Sequence, residues 1–424
     1  MVTKFRIQNY KSILDDTIEL GKVNVFIGEN GSGKSNILEA LAMFDAGMKE
    51  EVEPEDLYNR GIRVVLPKLT LPQFEEQISE ASTLHQESLD NPSTSFSFTP
   101  SVSDNIFSKW NIKNSIIEEI NGVEDEIFEK LGKLEKREAE KVQEMSRVSQ
   151  NYEDDKSSYS LDSITDTIIN ISKEIREIID EKESLKRDKE TVKYIFKSVG
   201  EFSDFLIYDL NTKALRGIFK ESMKQPVGIN GEHLDILISS FNEEELAQLK
   251  KYNYLIGWLE DFFLDPKDVR KLDGMKMGKS TSLLYFQDKF MAENHNVFSA
   301  ENANEGILHV LFYLSVLISR RTPQFFGIDN IETALNPHLC RHLMKGISEL
   351  AIENEKQIVV TTHNPAILDG LDLTNDDIRL FEVYRGDKGD TRTRRIQFKK
   401  GAEKKYKLSE MWMKGMLGAI SQNF

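Results

Sequence analysis

Only one cysteine, Cys340, stands in the chain, so no internal disulfide can form. A small, buried apolar residue is its expected role. Long hydrophobic runs are also missing. The continuous apolar stretches are short, as at Val23–Ile27 and within Gln357–Thr361. None nears the roughly 20 residues needed to cross a bilayer, so no membrane partner is expected. The opening Met1-Val2-Thr3-Lys4-Phe5 lacks the apolar stretch of a secretory signal, and the cytoplasm is the expected compartment. Positive charge is in deficit as well, with a net charge of −16. A uniformly acidic chain does not draw nucleic acid through its bulk field, so contact with DNA would need a local basic face. Arg392, Arg394, Arg395, Lys399, Lys400, Lys404, Lys405 and Lys407 form one candidate. A solvated edge strand followed by a loop is the slightly favoured account of them.

What is present suits a protein with a substantial core and long charged helices. The 424 residues allow two or three domains, with 39% hydrophobic and 30% charged residues. Phe5, Ile7 and Tyr10, then Ile18 and Leu20, alternate as strands do. Val23, Val25 and Ile27 lead into a glycine-rich loop. After it, Ile37, Leu38, Leu41 and Phe44 recur at helical spacing. The segment 87–104 is rich in Ser, Thr, Asn and Pro and reads as a loop. Ile116, Ile120, Val123, Ile127, Leu131 and Leu134 then step by three and four. Ile164, Ile168, Ile171, Ile175, Ile178, Leu185 and Val192 keep a heptad rhythm broken by Lys182 and Lys189. A polar connection around 151–158 joins the two, which predicts an antiparallel helical hairpin, a short coiled coil. Residues 200–270 are mixed and expected to be helical, with aromatics that suit a core. Phe325–Ile328 and Ile358–Val360 read as buried parallel strands, with Leu339, Leu343, Ile347 and Leu350 on a helix between them.

Three elements carry chemistry. The loop Gly28-Glu29-Asn30-Gly31-Ser32-Gly33-Lys34-Ser35 follows a strand and opens a helix. Glycines there let backbone N–H groups turn inward around phosphates; Lys34 reaches the β- and γ-phosphates and the Ser35 hydroxyl binds Mg²⁺. ATP with Mg²⁺ is the expected ligand. The second element is Phe325-Phe326-Gly327-Ile328-Asp329, a strand ending in an acid that suits a carboxylate near Mg²⁺. Many strands end in Asp, so alone it is a weak signal. The third is His363 after Val360-Thr361-Thr362, either a hydrogen-bonded turn residue or a sensor of the γ-phosphate.

In this order the three elements resemble the ABC-type heads of AAA-class ATPases in the RecF, SMC and OLD-like group. Phe5-Arg6-Ile7-Gln8-Asn9-Tyr10-Lys11-Ser12-Ile13, Asn24-Val25-Phe26-Ile27 and Asn36-Ile37-Leu38-Glu39-Ala40-Leu41 are similar to that group's flanking segments. The resemblance covers roughly residues 1–65 and 285–400. It implies an α/β fold, a mixed, largely parallel sheet with flanking helices, carrying an inserted coiled-coil hairpin. The expected organisation is a head from 1–95 and 281–400, a helical insert over 96–280 with the hairpin near 114–196, and a tail helix in 401–424. That tail, Lys407 to Gly418, is expected either to pack on its own head or to dock a partner.

Carried over residue by residue, the resemblance places nucleotide contacts at Lys11, Asn30, Gly31, Ser32, Gly33, Lys34, Ser35 and Asn36. It places Mg²⁺ at Ser35 and Asp329. It also places a signature that caps the γ-phosphate of a second subunit at Asn304-Glu305-Gly306, where many relatives have Ser-Glu-Gly. A plain helix N-cap at Asn304 fits the same residues. Where the group has Asp-Glu-Pro-Glu, this chain has Asp329-Asn330-Ile331-Glu332. Asn330 cannot take a proton, although an amide can orient water. Glu332 is the substitute acid. Lys34, Asp329, Asn330, Glu332 and His363 are thus the expected catalytic set, with hydrolysis slow or gated. No acidic Toprim-like cluster follows the last head strand. The resemblance therefore implies a homo-oligomer, a head dimer or a larger ring, that controls a separate effector such as a nuclease, as in the Septu, Gabija and PARIS antiphage systems. The alternative is a RecF- or SMC-like repair ATPase binding duplex DNA.

Overall fold

Alternation at the start of the chain builds a hairpin. β1 (Val2–Tyr10) buries Val2, Phe5, Ile7 and Tyr10, and β2 (Ile13–Glu19) pairs with it antiparallel, Phe5 opposite Ile18. The structure is a computed structural model, and it describes residues 1–47, 54–63, 70–74, 77–78, 82–88, 94–100, 110–154, 161–200, 205–218, 226–272, 274, 276–293, 295–397 and 407–417. β3 (Val23–Ile27) is buried along its whole length. α1 (Lys34–Ala46) and α2 (Pro54–Asn59) follow. β4 (Gln73–Phe74) and β5 (Gln77–Ile78) pair with each other. β6 (Ser82–Ser88), β7 (Thr94–Pro100) and β8 (Trp110–Asn114) extend the opening hairpin into a sheet ordered β2-β1-β6-β7-β8. The segment expected as a loop therefore carries a strand. The alternation Ser95-Phe96-Ser97-Phe98 is a strand signal that its polar composition hid.

Residues 114–201 form a compact unit of their own. It consists of α3 (Ser115–Asp154) and α4 (Leu161–Gly200). The helices run antiparallel: Glu138 pairs with Lys182 at 2.6 Å, and Lys141 with Glu174 at 2.8 Å. Among its described side chains, Ile127, Leu134, Ile171 and Ile178 are buried apolar residues. Lys182 breaks the apolar rhythm of α4 because its ammonium reaches a carboxylate on the facing helix. The side chains of Ile116, Ile120, Val123, Ile164 and Val192 lie outside the described residues.

The other unit comprises residues 1–113 and 202–424, so the insert is shorter than the 96–280 read from sequence. β9 (Ile207–Tyr208), α5 (Thr212–Leu215), α6 (Leu234–Ser239), α7 (Glu243–Lys250), β10 (Leu259–Leu264), α8 (Val269–Leu272), β11 (Leu284–Asp288) and β12 (Val297–Ser299) belong here. Val227, Leu237, Leu249 and Phe262 share one core with Val23 and Val25. These elements are too short for a period to declare itself in the sequence, and β10, β11 and β12 form a small antiparallel sheet.

α9 (Glu305–Ile318) buries every residue from Ile307 to Ile318, which makes it a core helix rather than an amphipathic one. β13 (Phe325–Ile328), α10 (Pro337–Glu353), β14 (Gln357–Thr362), α11 (Pro365–Leu368), β15 (Ile378–Arg385), β16 (Thr391–Ile396) and α12 (Leu408–Met413) complete the chain. The Asn336 side chain caps α10 by accepting from Leu339 N at 2.9 Å, with Pro337 in the first turn. Buried Lys356, in the turn between α10 and β14, donates to Ser319 O at 2.7 Å and to Thr322 O at 3.0 Å.

The main sheet has the order β16-β15-β3-β14-β13-β9, all parallel except β16. Alternate residues feed opposite cores. Val25 and Val360 face the core of α9 and α10, whereas Phe26, Val359 and Phe381 face the core of α1. This mixed sheet with helices against both faces is the α/β architecture expected from the sequence. α12 packs on α11; Leu408 and Trp412 are buried, and Ser409 Oγ donates to Asp369 at 2.8 Å.

Candidate functional site

Parallel strands place their C-terminal ends on one edge, the usual ligand edge of such sheets. Here β3, β14, β13 and β9 bring Gly28, His363, Asp329 and Asp209 to that edge in adjacent order. The loop after β3 depends on glycine. Gly31 and Gly33 have φ of 77° and 110°, in the left-handed region. A Cβ on Gly33 would also lie 2.2 Å from Thr391 Oγ1.

Lys34 Nζ donates to the carbonyls of Gly28 and Glu29, each at 2.9 Å. Burial lowers its pKa to about 8, against the opposing pull of Asp329 and Glu332. Ser35 Oγ donates to Asp329 Oδ2 at 2.9 Å. Thr361 Oγ1 holds the other Asp329 oxygen and accepts from Asn330 N at 2.9 Å. Asn330 sits at φ 51°, a conformation that Asn tolerates better than most residues. Glu332 Oε1 accepts from His363 N at 2.8 Å, while the buried Oε2 has no hydrogen-bond partner among the described residues. Burial and nearby Lys34 hold the His363 imidazole below its ordinary pKa. The Ser32 hydroxyl is likewise buried without a partner among the described residues.

Two expected residues, Lys11 and Asn36, have side-chain partners beside the loop. Lys11 forms an ion pair with buried Glu39, whose second oxygen takes Arg63 Nε at 2.6 Å. Burial, then the charge of Arg63, lowers the Lys11 pKa to about 8. Asn36 Nδ2 donates to Ser12 Oγ at 2.7 Å. Asn304, Glu305 and Gly306 stand at the start of α9. Asn304 caps it, accepting from Ile307 N at 3.0 Å, and among the described residues no hydrogen bond ties these three to the phosphate loop. Asn304 and Glu305 are exposed.

Sequence reasoning passed over Asp209, Thr391 and Arg385. Asp209 ends a short apolar strand as Asp329 does, and burial, then the Asp329 charge, raises its pKa. Phe205-Leu206-Ile207-Tyr208-Asp209 was a readable signal of the same type. Cys340 is buried with a thiol pushed up to about 11, which fits a packing role. The basic segment is internally matched: Arg392 pairs with Asp390, Arg394 with Glu382 and Arg395 with Asp376. Lys399, Lys400, Lys404 and Lys405 lie outside the described residues.

A glycine loop between a buried parallel strand and a helix, with a serine hydroxyl on an aspartate two strands away, defines a P-loop nucleotide-binding head. The chain belongs to the AAA-type ATPase family described as "AAA domain, putative AbiEii toxin, Type IV TA system", whose profile matches residues 23–369. No curated protein matches it. Among solved structures, it is similar to the Smc head domain of Pyrococcus furiosus with an extended coiled coil, bound to the C-terminal domain of ScpA. That match has 13% identity and a TM-score of 0.43, and covers 93% of this chain and 96% of that one. A SmcHead bound to the C-winged helix domain of ScpA matches with 12% identity and a TM-score of 0.48, covering 94% and 98%. The SMC head domain from Thermotoga maritima matches with 11% identity and a TM-score of 0.41, covering 94% and 99%.

The family implies nucleotide and Mg²⁺, and the residues present fit both. Ser35 and Asp329 offer hard oxygens within reach of one ion, which suits Mg²⁺ held mainly by phosphates and water. Among the described residues, no group of three His, Cys, Asp or Glu side chains makes a separate metal site.

Proposed function

We propose that the chain is an ATPase that binds ATP and Mg²⁺ at Gly28–Ser35 and hydrolyses slowly. The observation that carries this is the Ser35–Asp329 pair beside Asn330. A loop and carboxylate suited to phosphate and Mg²⁺ stand next to an amide, which cannot accept a proton. In this reading Asn30 to Ser35 contact the phosphates, and Lys11 and Asn36 support the loop's flank. His363 senses the γ-phosphate. Glu332, with one oxygen on His363 N and the other unpartnered, orients the attacking water.

Bound ATP then joins two heads. Lys34, Ser35 and Asp329 of one copy face Asn304–Gly306 of another, and the two-helix unit adds a contact independent of nucleotide. The assembly controls a separate effector, a nuclease, in a bacterial antiphage defence system. The family description, which names a toxin of a toxin–antitoxin system, supports that setting. The acid-paired arginines of β16 speak against a basic DNA groove there.

The test is ATP turnover with Mg²⁺, with and without duplex DNA. The expected result is slow turnover unchanged by DNA. Strong stimulation by DNA, with salt-sensitive binding, would establish the repair-type alternative instead.

A further inference from the structure

The β15–β16 hairpin grips the outer side of the phosphate loop. β15 runs parallel to β3 with Glu382 opposite Ile27, so its end passes beside the loop. Arg385 ends β15, Thr391 begins β16, and the two are paired across the hairpin. Arg385 Nε donates to Gly31 O at 2.9 Å, while its Nη1 donates to Gly389 O of its own turn at 2.8 Å. Thr391 Oγ1 donates to Ser32 O at 2.7 Å. Two consecutive carbonyls of the loop are therefore held from outside by one hairpin.

The Thr391 hydroxyl is also the end of a relay. Its single proton goes to Ser32 O, so at the 2.7 Å contact with Ser12 Oγ it accepts. Ser12 Oγ in turn accepts from Asn36 Nδ2 at 2.7 Å. The order Asn36, Ser12, Thr391, Ser32 gives every donor one acceptor. It ties the turn after β1, the first turn of α1 and the start of β16 to one loop carbonyl. The turn that presents these groups is itself closed, with Gly386 N on Asp390 O at 2.7 Å and Gly389 at φ 81°.

A phosphate loop works by pointing N–H groups inward, which turns its carbonyls outward. Holding Ser32 O fixes the peptide that carries the Gly33 N–H, and holding Gly31 O fixes the peptide whose Ser32 N–H closes the loop turn on Glu29 O at 3.2 Å, so the loop is set before a phosphate arrives. Binding then costs less ordering entropy. We infer that the β15–β16 hairpin is a latch that preorganises the phosphate loop, with Arg385 and Thr391 as positioning residues that set ATP affinity without touching the reacting atoms. The inference rests on the reading of Gly28–Ser35 as the ATP site.

The experiment is calorimetric titration of the full chain with ATP and Mg²⁺, comparing unaltered protein with Thr391→Val, Thr391→Ser and Arg385→Ala. Thr391→Val should weaken binding about tenfold, since it leaves Ser32 O and the Ser12 hydroxyl without their partner. Thr391→Ser keeps the hydroxyl and should bind within about twofold of the unaltered chain. Arg385→Ala, at an exposed strand end that folding tolerates, should weaken binding roughly threefold to tenfold. In Thr391→Val and Arg385→Ala the KM for ATP rises and kcat holds, a split that general loss of structure does not produce. Equal affinity across all four proteins overturns the latch alone. Failure of the unaltered protein to bind ATP overturns the ATP-site reading and the latch with it.

Discussion

Ser35 Oγ lies 2.9 Å from Asp329 Oδ2, although 294 positions separate the two residues in sequence. The sheet makes this contact, because β14 alone separates β3 from β13 and all three run the same way. A hydroxyl and a carboxylate at that separation are a ready pair of oxygens for one hard cation.

Ser35→Ala and Asp329→Asn should therefore remove the Mg²⁺-dependent part of ATP binding. Titrations in Mg²⁺ should show affinity lower by about tenfold or more, and titrations in EDTA should match the unaltered protein. Mg²⁺ dependence retained in both variants would remove the metal assignment.

Asn330 and Glu332 divide the expected chemistry. Asn330→Glu should raise steady-state turnover by about tenfold or more if the missing carboxylate limits the rate. Its cost in stability should stay near 1 kcal/mol, because φ 51° suits Asn better than Glu. Glu332→Gln should lower kcat with the ATP Kd unchanged. Turnover unaffected by both changes would place the slow step elsewhere.

Asp16 makes stability depend on pH. Burial raises its carboxyl from 3.8 to about 6, and Oδ2 has no partner among the described residues. A carboxyl with a raised folded pKa binds its proton more tightly in the folded state. Its contribution is complete below the ordinary value and is lost as pH rises through about 6. Asp16→Asn should flatten urea-derived stability between pH 4 and 6 and add roughly 1–2 kcal/mol at pH 7. An unchanged slope would show that the group stays hydrated.

Lys356 ties the end of β14's entry turn to the carbonyls after α9. Lys356→Met keeps the length but leaves buried carbonyls unpaired, so urea unfolding should show a loss of about 3 kcal/mol. A loss below about 1 kcal/mol would mean that water replaces the ammonium.

Much of this architecture is legible in the sequence. Buried runs such as Val23–Ile27 announce a parallel strand because both faces need apolar cover. The loop Gly28–Ser35 announces itself because glycine and lysine at that spacing have one common use. The two 40-residue helices were readable because a heptad rhythm accumulates with length. β9 and the short helices after it were not, since two to eight residues cannot display a period. Thr391 and Arg385 were hidden for another reason. Their contacts to Ser32 and Gly31 are made to backbone carbonyls, which leave no trace in the sequence of either partner. Arg392, Arg394 and Arg395 read as a basic patch because the acids that neutralise them come from other turns and strands.

The central claim is that ATP held at Gly28–Ser35 joins two heads. Mass in solution, measured by light scattering with and without ATP and Mg²⁺, tests it most directly, with Lys34→Ala as the control. Any assembly made by the two-helix unit alone is present in both conditions. The account predicts a nucleotide-dependent rise to a larger species in the unaltered chain and none in Lys34→Ala. A mass independent of ATP, or an equal rise in Lys34→Ala, contradicts it.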